Sequence, residues 1–193
     1  MPRLYLVRHA KPAASWGEDP DPGLDATGIS QARATAQELA GSLSRLPLYT
    51  SPLRRCRETA EPLAQHWFCN AVTMPLVAEI PAPALDLAAR HDWLIAAMRG
   101  SWQQLHENAP AGSIEYLQWR RRLAESLATI DHDCVICTHF IDINVAAGAA
   151  QARDEVVCFR PDHASITVIG NDGGRLRLIE LGRQAETLVL TRQ

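Results

Sequence analysis

The 193-residue sequence has no apolar run long enough to cross a lipid bilayer, and its N-terminus has no basic segment followed by an apolar one. Neither a membrane span nor a secretory leader is therefore expected. It has no excess of basic residues: the net charge is −3 and the isoelectric point is about 6.1. A nucleic-acid-binding surface usually carries a basic face, so nucleic acid is not an expected partner. There is no regular cysteine framework. The five cysteines, Cys56, Cys69, Cys134, Cys137 and Cys158, are odd in number, which fits reduced thiols and a cytoplasmic setting. There are no internal repeats and no low-complexity segment. What is present is 47% hydrophobic and 21% charged residues, enough apolar material for a packed core.

Cys134 and Cys137 form a Cys-x-x-Cys in "DCVICTHF". They lie inside a β-branched run rather than at a turn opening a helix, so they read as small apolar strand residues. No second pair completes a zinc site.

Strand and helix signals alternate along the chain. Leu4–Val7, "LPLYT" and "DCVICT" read as short buried strands. "KPAASWGEDPDPG" reads as a loop, after which Asp25 or Thr27 can cap a helix whose apolar positions include Ile29, Ala32, Ala36 and Leu39. Ser51 and Pro52 read as the start of the next helix, with Cys56, Ala60, Leu63, Ala64 and Trp67 on its apolar stripe. "VTMPLVAEIPAPALD" is proline-rich and reads as an interrupted strand and a loop. His91–His106 reads as one helix, Tyr116–Ile130 as another, and the stretch after "DCVICT" as a third. "ASITVIG" and "RLRLIEL" flank "NDGG", the pattern of a β-hairpin. Such alternation predicts an α/β fold with a mostly parallel sheet and helices on both faces.

Ligands of open α/β sheets bind beyond the carboxyl ends of the strands. His9 follows "LYLVR" and His139 follows "CVICT", both at such ends. Arg54, Arg55 and Arg57 occupy the first turns of a helix that also follows a strand. Arginines and helix N-termini favour phosphate, so these elements, if they converge, make an anion site. On its own helix Arg55 lies opposite the apolar stripe, where a solvated arginine would sit.

In this order, "LYLVRHAKP", "GLDATGISQA", "SPLRRCRETA", "AEIPAPAL" and "VICTHF" resemble the motifs of the histidine phosphatase superfamily, the phosphoglycerate-mutase-like proteins. The resemblance spans about residues 3–169 and implies one domain over 1–193, with 82–112 as a cap over the site. It implies that His9 becomes phosphorylated, that Arg8, Arg55 and His139 bind phosphate, and that Glu79 donates a proton to the leaving group. Ser15 stands where mutase-like members often carry asparagine, and its hydroxyl can bond an oxyanion. His163, in "RPDHASIT", follows a turn and is a further candidate for the pocket border. Arg90, His91 and Arg99 in the cap segment read as solvated helix charges or as contacts for a second anionic group.

Three departures from the family pattern stand out. Ala10 replaces a glycine after the first histidine, Phe140 replaces one after the second and narrows the pocket, and "IPAPAL" replaces a glycine-rich stretch typical of mutases. The resemblance thus implies a metal-independent phosphatase of small phosphomonoesters, working without a cofactor. A mutase-type isomerase and a non-enzymatic phospho-ligand sensor are the competing readings. Asp19 and Asp21 read as a solvated loop rather than metal ligands.

Overall fold

The computed structural model describes residues 1–14, 18–83 and 86–185. Six strands form one sheet: β1 (Arg3–Arg8), β2 (Leu48–Thr50), β3 (Val72–Thr73), β4 (Cys134–Thr138), β5 (Ile166–Asp172) and β6 (Arg175–Glu180). Their spatial order is β3-β2-β4-β1-β5-β6. The four strands from β3 to β1 run parallel, and β5 and β6 complete the sheet as antiparallel neighbours. The expected mostly parallel α/β sheet is present, with the "NDGG" hairpin as its antiparallel edge. Gly173 and Gly174 both take positive φ, 60° and 91°, which the two-residue turn demands and which glycine adopts without a Cβ clash.

Six helices cover the sheet: α1 (Ala26–Ser42), α2 (Arg54–His66), α3 (Leu87–Ala97), α4 (Trp102–Glu107), α5 (Tyr116–Ala128) and α6 (Phe140–Gln151). Alternation along β1 explains the two layers. Tyr5 and Val7 pack with Ala36 and Leu39 of α1 and with Cys56, Ala60 and Leu63 of α2. Leu4 and Leu6 point the other way and share a core with α3, α4, α5 and α6. Cys134 and Cys137 are buried strand residues, one in each core.

Three local expectations change. The helix expected over His91–His106 is two helices: α3 ends at Ala97, and α4 starts after Ser101. Its hydroxyl accepts from Gln104 N–H while the Gln104 side chain accepts from Ser101 N–H, a reciprocal cap. The strand expected through "PLVA" is a 3₁₀ turn at Pro75–Val77, and the strand itself is only Val72–Thr73. The helix expected from Ser51 begins at Arg54, capped by Leu53 without a side-chain bond. Asp25 does cap α1, accepting from Gly28 N–H, and pairs with Lys11 at 2.8 Å. A Cβ on Gly28 would lie 2.1 Å from the Lys11 carbonyl oxygen, so only glycine lets α1 dock against the loop leaving β1.

Candidate active site

The site starts from strand register. Arg8 of β1 lies opposite Thr138 of β4, and the His9 N–H donates to the Thr138 carbonyl at 2.9 Å. The two residues that leave these strands, His9 and His139, are therefore neighbours, with ring centroids 5.3 Å apart. Both are buried.

Their tautomers follow from what surrounds them. His9 Nδ1 is 2.9 Å from the Ala10 carbonyl oxygen. A carbonyl only accepts, so Nδ1 carries the proton and Nε2 keeps its lone pair. His139 Nδ1 is 3.1 Å from Arg55 Nη2. A guanidinium only donates, so here Nδ1 holds the lone pair and Nε2–H donates to Ser51 Oγ at 2.7 Å. Burial, first, and the neighbouring cations hold both rings well below the usual histidine pKa. His139 is thus a neutral acceptor in the free protein, not the protonated third donor that a phosphate pocket suggests.

Arg55 is buried, although helical periodicity along α2 alone places it on the solvent side. The helix starts at the sheet edge, and its face bearing Arg55 and Thr59 turns toward the strand ends. Thr59 Oγ1 donates to the Arg55 carbonyl and accepts from Ala10 N–H, tying α2 to the residue after His9. Arg54 and Arg57 are exposed, and Arg54 pairs with Glu58. Asp21 stays partly solvated, yet its carboxylate accepts from Arg54 N–H and lies 3.9 Å from Arg55.

Arg8 donates to the Pro161 carbonyl at 2.9 Å, and its guanidinium lies 5.1 Å above the Phe140 ring. Burial lowers its pKa to about 10, against the pull of Glu79 and Asp162, so it remains cationic at neutral pH. Arg8 and Arg55 each keep a buried Nε–H with no acceptor among the described residues.

Glu79 follows the 3₁₀ turn and is also buried. Its Oε1 accepts from Ile80 N–H, while Oε2 lies 3.4 Å from His139 Nδ1 and 3.7 Å from Arg55 Nη2. An ionised Oε2 facing a lone pair is unfavourable, so this contact favours the protonated acid. Burial acts in the same direction and outweighs Arg55 and Arg8, raising the pKa to about 7.

His163 completes the ring of side chains. Its centroid is 5.5 Å from that of His9, Nδ1 donates to the His9 carbonyl at 3.2 Å, and Nε2 faces Arg8 at 3.5 Å. Burial and Arg8 lower its pKa to about 4. The main chain here is constrained: Ala164 takes φ 55°, a costly conformation for a residue with a Cβ, and its N–H donates to the Arg8 carbonyl. Ser15 lies outside the described residues. His91 and Arg99 are exposed.

The strand-end histidines, Arg8, Arg55, Glu79 and His163 thus come together. Sequence reasoning assigns Ser51 only to the start of a helix; its place in "SPLR", right after a strand, is the available signal for its bond to His139. His9, Glu79 and His139 also offer ligand atoms within 4.8 Å of one another, a spacing open to a metal ion. Arg55 lies against two of the three, and both guanidinia repel a divalent cation there.

Two cations with spare N–H donors, neutral imidazoles and a carboxyl half protonated near pH 7 suit a compact dianion. Fold and site together define an α/β protein with a buried cluster of arginine, histidine and glutamate side chains at the carboxyl edge of its central strands. The chain belongs to the histidine phosphatase superfamily (branch 1), whose profile matches residues 4–184. Among solved structures it is similar to the mycobacterial glucosyl-3-phosphoglycerate phosphatase, at 21% identity and a TM-score of 0.70, covering 95% of this chain and 98% of that one. It is likewise similar to the α-ribazole phosphatase of Shigella flexneri, at 19% identity and a TM-score of 0.73, covering 96% and 98%. A third is a phosphoserine phosphatase variant from Entamoeba histolytica, at 19% identity and a TM-score of 0.70, covering 94% and 96%. Among curated proteins none matches this sequence. No helix among the described residues is long and apolar enough to cross a membrane.

Proposed function

We propose that the protein is a metal-independent phosphatase that hydrolyses small phosphomonoesters through a phosphohistidine at His9. The observation that carries this reading is a buried His9 held as the Nδ1–H tautomer, its Nε2 lone pair free, between two arginines with unsatisfied Nε–H groups. A phosphomonoester dianion repels an attacking lone pair, and Arg8 and Arg55 neutralise that charge. His9 Nε2 attacks phosphorus, the ester oxygen leaves, and Glu79 supplies its proton. Water then attacks the phosphohistidine, with Glu79 as base, and His9 is regenerated. In the free protein His139 Nδ1 accepts from Arg55; a bound dianion draws that guanidinium N–H to its own oxygens and favours a proton on Nδ1, which then donates to phosphate in place of accepting from Arg55.

Positive charge comes from the arginines, so no step is assigned to a metal. The names of the three similar structures each denote a phosphatase of a small organic phosphate, which supports a substrate of that size. Residues 82–112 are proposed as the cap: Arg90 lines a narrow cavity with Arg55, Asp19 and Pro12, where it can meet the substrate beyond its phosphate.

A phosphoester panel assayed with EDTA present tests the proposal. Inorganic phosphate is released, His9→Ala releases none while keeping its circular dichroism spectrum, and rapidly quenched wild-type protein carries label on His9. Full turnover in His9→Ala, or turnover lost to EDTA and restored by Mg²⁺ or Zn²⁺, overturns the mechanism. Isomerised ester without free phosphate makes it a mutase instead.

A further inference from the structure

One buried acid has no part in the chemistry above. Asp142 stands in the first turn of α6, in a stretch, "FIDINVAAGAA", that is apolar apart from it and Asn144, and is 1% exposed. Its Oδ2 is 2.5 Å from Thr138 Oγ1, and its Oδ1 has no hydrogen-bond partner among the described residues. The same Thr138 hydroxyl lies 3.2 Å from the Val77 carbonyl oxygen.

Counting protons decides the arrangement. A threonine hydroxyl has one proton, and both neighbours are oxygens. The Val77 carbonyl can only accept. If Thr138 donates to an ionised Asp142, its contact with Val77 has no proton and leaves a buried carbonyl unpaired. If Asp142 carries a proton, the chain Asp142 Oδ2–H to Thr138 Oγ1–H to Val77 O satisfies every contact.

We propose that Asp142 is a positioning residue for the proton-donating carboxyl of Glu79: its neutral acid group commits the Thr138 proton to the Val77 carbonyl and so fixes the turn that carries Glu79. The geometry links three elements at one point. Thr138 directly precedes His139, Val77 ends the 3₁₀ turn two residues before Glu79, and Asp142 sits three residues into the turn after His139. A slack Val77 would let Glu79 drift from His139 and Arg55, now 3.4 and 3.7 Å away.

The electrostatics agree with the proton count. A helix N-terminus favours a charged carboxylate. Against it stand burial, the largest effect, and the charge of Glu79; together they push the Asp142 carboxyl well above its usual range, against the Thr138 hydroxyl, the His139 main-chain N–H and Arg55, which pull the other way in that order. Asp142 in turn acts on the buried Cys56 thiol of α2. These, with Thr138 and the His139 main chain, are the polar groups facing it. A neutral Asp142 leaves Glu79 as the carboxyl of the site that ionises near neutral pH.

This inference rests on Glu79 being the general acid, and the test keeps the two apart. Carboxyl-carbon NMR of aspartate-labelled protein at pH 7 gives one signal in the protonated position, absent from Asp142→Asn. Asparagine can donate to Thr138 as the acid does, so Asp142→Asn retains the wild-type pH profile and the wild-type ratio of alkyl to nitrophenyl phosphate turnover. Asp142→Ala and Thr138→Val lower that ratio by about tenfold, a fraction of the full general-acid effect, and Thr138→Ser restores it. All aspartates ionised at pH 7, Asp142→Asn behaving as Asp142→Ala, or equal losses on both substrates overturn the proposal. If Ala or Val variants do not fold, the NMR signal, Asp142→Asn and Thr138→Ser still decide. Failure of Glu79 as the acid appears separately, as an unchanged ratio in Glu79→Gln.

Discussion

Replacing Glu79 with glutamine tests the central claim about the proton. A glutamate at its ordinary pKa of 4.5 would be only about 0.3% protonated at pH 7; at a pKa of about 7 half of the molecules carry the acid. The fold thus raises the working population by roughly 150-fold, a differential of about 3 kcal/mol between the two protonation states. An alkyl phosphate leaves as a strongly basic alkoxide and needs this proton, whereas nitrophenyl phosphate leaves as a stable phenolate. Glu79→Gln therefore slows alkyl phosphates by about 100-fold or more and nitrophenyl phosphate far less. In wild-type protein, well above pH 7 where both esters are dianions, alkyl turnover falls about tenfold per pH unit and nitrophenyl turnover does not. The same shift appears in stability. A raised carboxyl pKa means that the native state holds a proton the unfolded chain has lost, so stability declines as pH rises from about 4.5 to about 7 and then levels. Glutamine has no such loss, so its melting temperature relative to wild type rises across that window. Steady-state kinetics on the two esters, with chemistry shown to be rate-limiting, and melting curves from pH 4 to 8 are the assays. Equal losses on both substrates, or a stability difference flat with pH, would refute the reasoning.

Arg55→Ala removes a cation that touches both His139 and Glu79. It costs on the order of 2–4 kcal/mol in kcat/KM, and Glu79, no longer held down by its nearest cation, ionises at a higher pH, which moves the basic limb of the alkyl phosphate profile upward. Arg55→Lys does not restore the rate, because a single ammonium cannot serve both neighbours with the guanidinium's planar fork. Ser51→Ala leaves the buried His139 Nε2–H without its 2.7 Å acceptor; denaturant unfolding gives a loss of about 1–3 kcal/mol, and the freed ring lowers kcat on nitrophenyl phosphate as well as on alkyl esters. Unchanged stability in Ser51→Ala would mean that the His139 Nε2–H finds another acceptor, the Cys56 sulfur 3.4 Å away being the nearest candidate.

The sequence by itself determined the features that local periodicity and turn chemistry encode. Strand period two set Leu4 and Leu6 against one helical layer and Tyr5 and Val7 against the other. "NDGG" specified the edge hairpin, because paired glycines alone take its backbone angles easily. His9 and His139 were legible as strand-end residues, and the ordered motifs pointed to Arg55 although its own helix suggested solvent. Tertiary structure decided how these residues interact. That β1 lies beside β4, in the register Arg8 opposite Thr138, is a pairing across some 130 residues, and it alone makes the two histidines neighbours. The splitting of His91–His106 depends on a Ser101–Gln104 cap competing with helical continuation. "PLVA" has the composition of a strand, but Pro75 and the Thr138 bond to Val77 make it a turn. Charge state was least legible of all. Whether Glu79 and Asp142 hold their protons, and whether His139 accepts or donates, depends on desolvation summed over all the surrounding elements and on which lone pair faces which donor. A sequence names the ionisable groups; only the packed chain fixes how much water each one keeps.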